Sequence, residues 1–311
     1  MEKKDHKNIA ENKRLASTVV KHYFGNTSRK LEHMPSGKTN FVFEVSINNQ
    51  SYIIRISKAV HKIIDFTKEQ WIVAKVREQG IPVAEILEVG NGAIPMPYMI
   101  QVKLDGVEAL YHPDNKRILN QMGKYTAMIN SIETVGYGKA FDWSENKLSK
   151  NLSWKEYLNN ELHLTHRLQV LAKYKMMSQP NLQKLRTLLE KLEKANLPTY
   201  LNHGDMRRKN VIVNKKADIV AIIDWEESSS NIVPFYDLAI ALHDLSVDNK
   251  EYFLEGYGIS PVVYAKSATL IKTFNIINYA PVIERLAKRN DQHRLDLYRL
   301  RLKGHLDLYS F

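Results

Sequence analysis

Cysteine is absent from the 311-residue chain. That excludes a disulfide framework, a thiolate metal site and a cysteine nucleophile. No stretch approaches the ~18 uninterrupted apolar residues of a membrane-spanning helix. The polar opening MEKKDHKNIAENKR also has no apolar core of the kind a secretory signal carries. The expectation is a soluble, cytoplasmic protein that spans no membrane. Internal repeats and low-complexity tracts are missing as well. What remains is an ordinary globular composition, 44% hydrophobic and 25% charged, with enough apolar side chains to bury a core. A chain of this length is expected to form two domains or one two-lobed unit.

Acids are in deficit: 34 Asp and Glu stand against 45 Lys and Arg, a formal net charge of +11. Such an excess suits nucleic acid, an anionic membrane surface or small anionic ligands such as nucleotides, and it also suits a solvated basic surface. A nucleic-acid-binding module is disfavoured, because the basic residues are scattered and no helix-turn-helix or RNP-like signature accompanies them. The distribution says more than the total. Residues 224–255 hold eight acids (Asp224, Glu226, Glu227, Asp237, Asp244, Asp248, Glu251 and Glu255) and one lysine, a net −7 within the +11 chain.

Along the chain, residues 15–24 have mixed helical character and end at Gly25. Phe41, Phe43, Val45 and Ile47 alternate, as do Tyr52, Ile54 and Ile56, with Asn48-Asn49 between the runs. This predicts a β-hairpin. A helix is expected to open at Asp65-Phe66-Thr67, with Thr67 and Gln70 at capping-box spacing, Ile72, Val73 and Val76 as its apolar face, and Gly80 and Pro82 as its stop. Residues 83–89 and 98–102 read as two more strands. Beyond Lys103 the periodicity becomes helical at 117–132, 154–171 and 182–196, interrupted by β-branched runs at 211–213 and 219–223. The fold class is therefore α+β: a small antiparallel sheet with one helix over residues 1–103, and a larger, mainly helical lobe over 104–311.

The informative stretch is LNHGDMRRKNVIVNKKADIVAIIDWE, residues 201–226. Asp205 lies in a glycine-containing loop, and Asn210 follows at the mouth of a short strand. A tight turn returns the chain to Asp224. Asn210 and Asp224 should thus share one end of a two-stranded ribbon, with Asp205 close by. An amide oxygen and a carboxylate suit Mg²⁺, which prefers oxygen ligands and keeps several waters. A carboxylate not bound to metal can accept a hydroxyl proton. Together these are parts required for phosphoryl transfer.

At His203-Gly204-Asp205-Met206-Arg207-Arg208-Lys209-Asn210 and Ile223-Asp224-Trp225-Glu226, the chain resembles the aminoglycoside phosphotransferase family, small-molecule kinases built like protein kinases. The resemblance runs over residues 36–258. It implies a two-lobed, protein-kinase-like fold, Asp205 as catalytic base, Asn210 and Asp224 as Mg²⁺ ligands, and ATP in the first lobe, with GTP not excluded. Phe235-Tyr236-Asp237-Leu238-Ala239 resembles the segment whose Asp braces the catalytic loop. Ser36, Gly37 and Asn40 fall where the family places its nucleotide-covering loop, although only one glycine is present. Arg55 stands where a cation for the ATP α- and β-phosphates is needed, with Lys58 a weaker candidate. Glu69 is placed to pair with Arg55, and helix-dipole compensation is its other account. Gln101-Val102-Lys103 would be the hinge whose backbone reads the adenine edge. Arg207 matches a phosphate-facing position. One departure is that the segment ending Asn130-Ser131-Ile132 lacks the His that relatives often show.

The resemblance implies a small hydroxylated acceptor. The acidic segment would attract a polycation such as an aminoglycoside if it faces the cleft, with Glu226 and Glu227 as acceptor-binding residues. The same acids could instead lie on solvated helix faces. Macrolides, choline-like and sugar-like acceptors stay open. A protein kinase is disfavoured by HGD in place of HRD and by the absence of a recognisable activation segment.

Overall fold

The computed structural model describes residues 2–25, 30–35, 40–142, 147–148, 153–192, 198–243 and 245–307. The chain forms two compact units, one of residues 1–113 with 208–226 and one of residues 114–207 with 227–311. In the first, α1 (Glu2–Phe24) leads to β1 (Glu32–Met34), β2 (Phe41–Ile47), β3 (Gln50–Ile56), α2 (Lys62–Glu78), β4 (Ile86–Gly90), β5 (Tyr98–Val102) and β6 (Val107–Glu108). The second contributes α3 (Asn115–Ile129), the short strands β7 (Phe141–Asp142) and β8 (Lys147–Leu148), α4 (Trp154–Asn160), α5 (Leu164–Lys173), α6 (Gln179–Lys191) and β9 (Thr199–Asn202). The first unit then receives β10 (Val211–Val213) and β11 (Ile219–Ile222). The second is completed by β12 (Ser229–Ile232), α7 (Phe235–Ala241), α8 (Val247–Tyr257), α9 (Pro261–Lys288) and α10 (Gln292–Asp307).

The expected division at 103/104 is corrected by pairing. β6 hydrogen-bonds to β10 in the sheet β11-β10-β6, and the Ile222 N–H donates to the Pro82 carbonyl at 2.9 Å. These bonds carry the ribbon into the first unit and move the boundary past Pro113.

The larger sheet of the first unit runs antiparallel in the order β1-β2-β3-β5-β4. Asn48 and Asn49 both take positive φ, 50° and 64°, as a type I′ turn requires. Ile47 then faces Gln50, and the alternation buries Phe43, Val45, Ile47, Ile54 and Ile56. Ala16, Val19 and Val20 of α1 pack into that same core. The sheet therefore carries two helices, not one: residues 15–24 are the end of a long amphipathic helix. By the period-two alternation Arg55 projects from the opposite face, where it meets α2. α2 begins at Lys62, ahead of the expected Asp65, after a backbone turn from Lys62 N–H to Ala59 O. Thr67 consequently lies inside the helix instead of capping it.

In the second unit the run at 154–171 is broken around His163, whose left-handed backbone (φ 51°) separates α4 from α5. Leu182, Leu185 and Leu189 are core, as their spacing predicts, and α9 buries Ile271, Phe274, Ile276, Ile277, Ala280 and Ile283. Where α3 meets α8, a Cβ on Gly123 would lie 2.0 Å from the Phe253 carbonyl oxygen, and one on Gly256 1.8 Å from that of Asn120. Only glycines permit this backbone-to-backbone approach. Among the described residues no helix is long and apolar enough to cross a membrane.

Two outcomes follow from this packing. Gly123→Val should force α3 and α8 apart and destabilise the chain by about 3 kcal/mol or more, seen as a lowered Tm in thermal melts. Lys272 on α9 is 6% exposed, and burial pulls its pKa down to about 8. Above that pH the folded chain binds fewer protons than the unfolded one, until the ordinary lysine value is passed. The cost of the buried charge is therefore full below pH 8 and is relieved as the pH rises. Unfolding free energy should therefore rise between about pH 8 and pH 10 in urea titrations, and Lys272→Met should flatten that rise.

Candidate active site

In the second unit, β9 delivers the chain into His203-Gly204-Asp205. The shape of this loop is set by Asp237 of α7, which is fully buried. Its carboxylate accepts the His203 N–H at 2.9 Å, the Gly204 N–H at 2.8 Å and the Asn130 Nδ2 at 2.9 Å. Burial pushes the Asp237 carboxyl above the ordinary carboxylate value, while the Gly204 and His203 N–H groups and Asn130 pull it back. Asn130 belongs to the segment whose lack of a His was noted in the sequence. It also donates to the Leu201 carbonyl at 3.0 Å and accepts from the Tyr257 hydroxyl at 3.0 Å. The amide is thus donor on one side and acceptor on the other. Gly204 has φ +78°, and a Cβ there would sit 2.2 Å from the Glu227 carbonyl oxygen. The central glycine of HGD is therefore a steric requirement of the loop. The His203 ring accepts the Asp205 N–H at 3.2 Å, and its carbonyl accepts the Ser228 hydroxyl. His203 is structural, and Asp205 is left with its carboxylate ion-paired to Arg207.

In the first unit, β10 and β11 are joined by a turn that Asn214 closes through the Lys216 and Asp218 N–H groups. The Ile223 N–H donates to the Asn210 carbonyl at 2.9 Å. Asn210 and Asp224 therefore leave the same end of the ribbon, as expected, and Asp224 takes a left-handed backbone (φ 68°). Arg55 and Glu69 form a two-pronged pair at 2.6 and 3.3 Å, and the guanidinium lies over the Phe66 ring. Burial works to lower the Arg55 pKa, but Glu69, Asp224 and Glu226 outweigh it and raise it. Burial likewise drives the Glu69 carboxyl up while Arg55 pulls it back. Arg55 is thus a permanent cation within electrostatic reach of Asp224. One amide and one carboxylate oxygen fit Mg²⁺, which completes its shell with water and substrate phosphates. Among the described residues no group of three or more His, Asp or Glu is arranged to hold a metal by itself.

Several expected residues have other duties. Lys103 donates its N–H to Ser51 O at 2.9 Å, accepts Gln50 Nε2 on its carbonyl at 3.2 Å and is gripped by Glu44 at 2.7 and 2.8 Å. Gln101 pairs with both β3 and β4, and the Val102 N–H is taken by Glu85 O. The N–H groups of Val102 and Lys103, at the end of β5, are thus engaged within the sheet. Ser36 and Gly37 lie outside the described residues. Asn40, which follows them, buries its Oδ1 with no hydrogen-bond partner among the described residues. Glu226 is ion-paired to Lys62 at 3.1 Å and Glu227 to Lys139. Asp248, Glu251 and Glu255 are exposed along α8. The acidic segment is therefore divided among ion pairs, a buried brace and solvated positions, and Asp244 lies outside the described residues. The sequence reading missed Lys62, Lys68, Lys139 and Tyr257, since a lysine destined for an ion pair looks like any surface lysine.

The loop brace has a measurable consequence. Asp237→Asn keeps the volume but replaces one acceptor oxygen with a donor facing backbone N–H. It should cost about 2–4 kcal/mol, read as a lower midpoint in urea unfolding.

The sequence profile described as the APH phosphotransferase enzyme family matches residues 30–267. Hygromycin-B 4-O-kinase of Escherichia coli is 20% identical over 205 residues, which are 64% of this chain and 58% of that protein. The alignment thus spans less than two thirds of this relative's length. The apo form of a thermostable mutant of aminoglycoside phosphotransferase APH(4)-Ia has a TM-score of 0.68 at 17% identity, covering 94% of this chain and 99% of that one. The ternary complex of another such mutant with AMP-PNP and hygromycin B has a TM-score of 0.64 at 16% identity, covering 92% and 96%. The GDP and kanamycin complex of APH(2")-IIIa has a TM-score of 0.63 at 14% identity, covering 95% and 99%. At such identities these structures establish a shared α+β, kinase-like fold. With that fold and a profile match over well more than half the sequence, the chain belongs to the APH phosphotransferase enzyme family.

Proposed function

We propose that the protein is an ATP- and Mg²⁺-dependent O-phosphotransferase that moves the γ-phosphoryl group to a hydroxyl of an aminoglycoside. The observation that carries this reading is the end of the β10–β11 ribbon. There Asn210 and Asp224 offer oxygen donors within electrostatic reach of the Arg55–Glu69 pair. Mg²⁺ held by Asn210 and Asp224 would neutralise phosphate charge. Arg55, aimed by Glu69, steadies the non-transferred phosphates. Asp205 accepts the hydrogen bond of the acceptor hydroxyl and orients it for in-line attack. Arg207, whose present partner is Asp205, is the cation that would meet charge on the transferred group. Asn40, whose buried oxygen has no partner among the described residues, suits the nucleotide side. ATP as donor suits a cytoplasmic enzyme.

Support for the acceptor class comes from relatives described with hygromycin B and kanamycin. GDP in one of those complexes keeps GTP open as donor. A second reading, a kinase of a less cationic hydroxylated metabolite or antibiotic, is favoured by one observation: Glu226 and Glu227 are each neutralised by a lysine.

Purified chain incubated with ATP or GTP, Mg²⁺ and hygromycin B, kanamycin, a macrolide or choline should add one phosphoryl group to at least one acceptor, detected by mass spectrometry. Asp205→Ala should lower the rate about 10²–10⁴-fold. Absence of transfer to every acceptor, or undiminished turnover by Asp205→Ala, would overturn the reading.

A further inference from the structure

We infer that Lys62 and Lys68, both on α2, are positioning residues for the Asp224 carboxylate and act through Glu226. The inference rests on the phosphotransferase reading and adds to it a link between the phosphate anchor and the metal-binding turn.

Lysine is almost never fully buried unless it is paired, yet Lys68 is 2% exposed. Its ammonium donates to the Glu226 backbone carbonyl at 2.7 Å. Six residues earlier, at the start of the same helix, Lys62 grips the Glu226 carboxylate at 3.1 Å and Asp65 at 2.8 Å. Glu226 is therefore held twice, by backbone and by side chain, from a single helix. Between it and Asp224 stands Trp225, itself buried, whose indole N–H donates to the Ile222 carbonyl at 3.0 Å. The turn so fixed contains Asp224 in a left-handed conformation, which a non-glycine residue keeps only when its surroundings hold it there. Filling the space under the turn would not by itself call for an ammonium, since a methionine would fit without the desolvation cost. The amine is explained by the carbonyl it holds.

The residue after Lys68 completes the link. Glu69 aims Arg55, so consecutive residues of α2 fix the phosphate-facing cation and the turn bearing Asp224. Groups that orient a metal ligand from behind commonly change metal affinity when removed. A residue that served stability alone would not.

The test is Mn²⁺ affinity for the protein saturated with AMP-PNP, followed by electron paramagnetic resonance, with AMP-PNP affinity measured separately without metal. Lys68→Met should weaken Mn²⁺ binding about tenfold or more while metal-free AMP-PNP affinity stays within about twofold. Lys62→Met removes a partly exposed ion pair and leaves the buried site filled. It should shift Mn²⁺ affinity in the same direction, by a smaller factor, and keeps the inference testable if Lys68→Met does not fold. Unchanged Mn²⁺ affinity in Lys62→Met and in a folded Lys68→Met, whatever happens to Tm, would overturn the inference and leave the phosphotransferase reading standing. If the unmodified protein binds AMP-PNP neither with nor without Mn²⁺, the phosphotransferase reading fails and this inference with it.

Discussion

A carboxylate taken out of water is tolerated only when its surroundings replace the lost hydration, and among the described residues Asp237 is hydrogen-bonded by amide donors. Two of them are the backbone N–H groups of His203 and Gly204, and the third is the Asn130 side chain. The arrangement works in both directions. The carboxylate needs those amides, and a loop too short for regular secondary structure needs an acceptor for N–H groups that would otherwise be buried unpaired. The position of Asp205 one residue later is therefore inherited from α7, α3 and β9, so the chemistry of the loop is anchored in the helical core.

Periodicity and turn chemistry made much of the fold legible. The Asn48-Asn49 hairpin, the extent of β5 and the leucine face of α6 were readable because each is a local pattern with a local cause. The start of α2 was not, because a backbone turn opens it where the eye looks for a capping side chain. Nor was the first residue range of α1, whose polar N-terminal half hides the periodicity. The division of the chain escaped for a different reason: β6 is two residues long, and only its pairing with β10 carries the boundary to Pro113.

The site was legible to the degree that its residues are fixed by motif. The structure pairs Arg55 with Glu69, sets Asp237 against the His203-Gly204 backbone and brings Asn210 and Asp224 to one end of the ribbon. Charge arithmetic travelled less well. A net −7 over residues 224–255 looks like a single acidic surface, but three dimensions distribute it among unlike environments. Sequence sums register formal charge, whereas a ligand meets only what ion pairing and burial leave exposed. Backbone hydrogen bonds such as that from Lys103 to Ser51 likewise leave no trace in residue identity.

The first unit is discontinuous: residues 208–226 are borrowed from within the stretch that builds the second. During synthesis, β6 and the Pro82 carbonyl must wait for partners that leave the ribosome only after α3 through β9 have been made. A fragment ending at Pro113 would expose an unpaired strand, and no single cut can release the first unit whole. Split reporters, truncations and domain exchanges in this protein therefore have to respect three covalent crossings, not one.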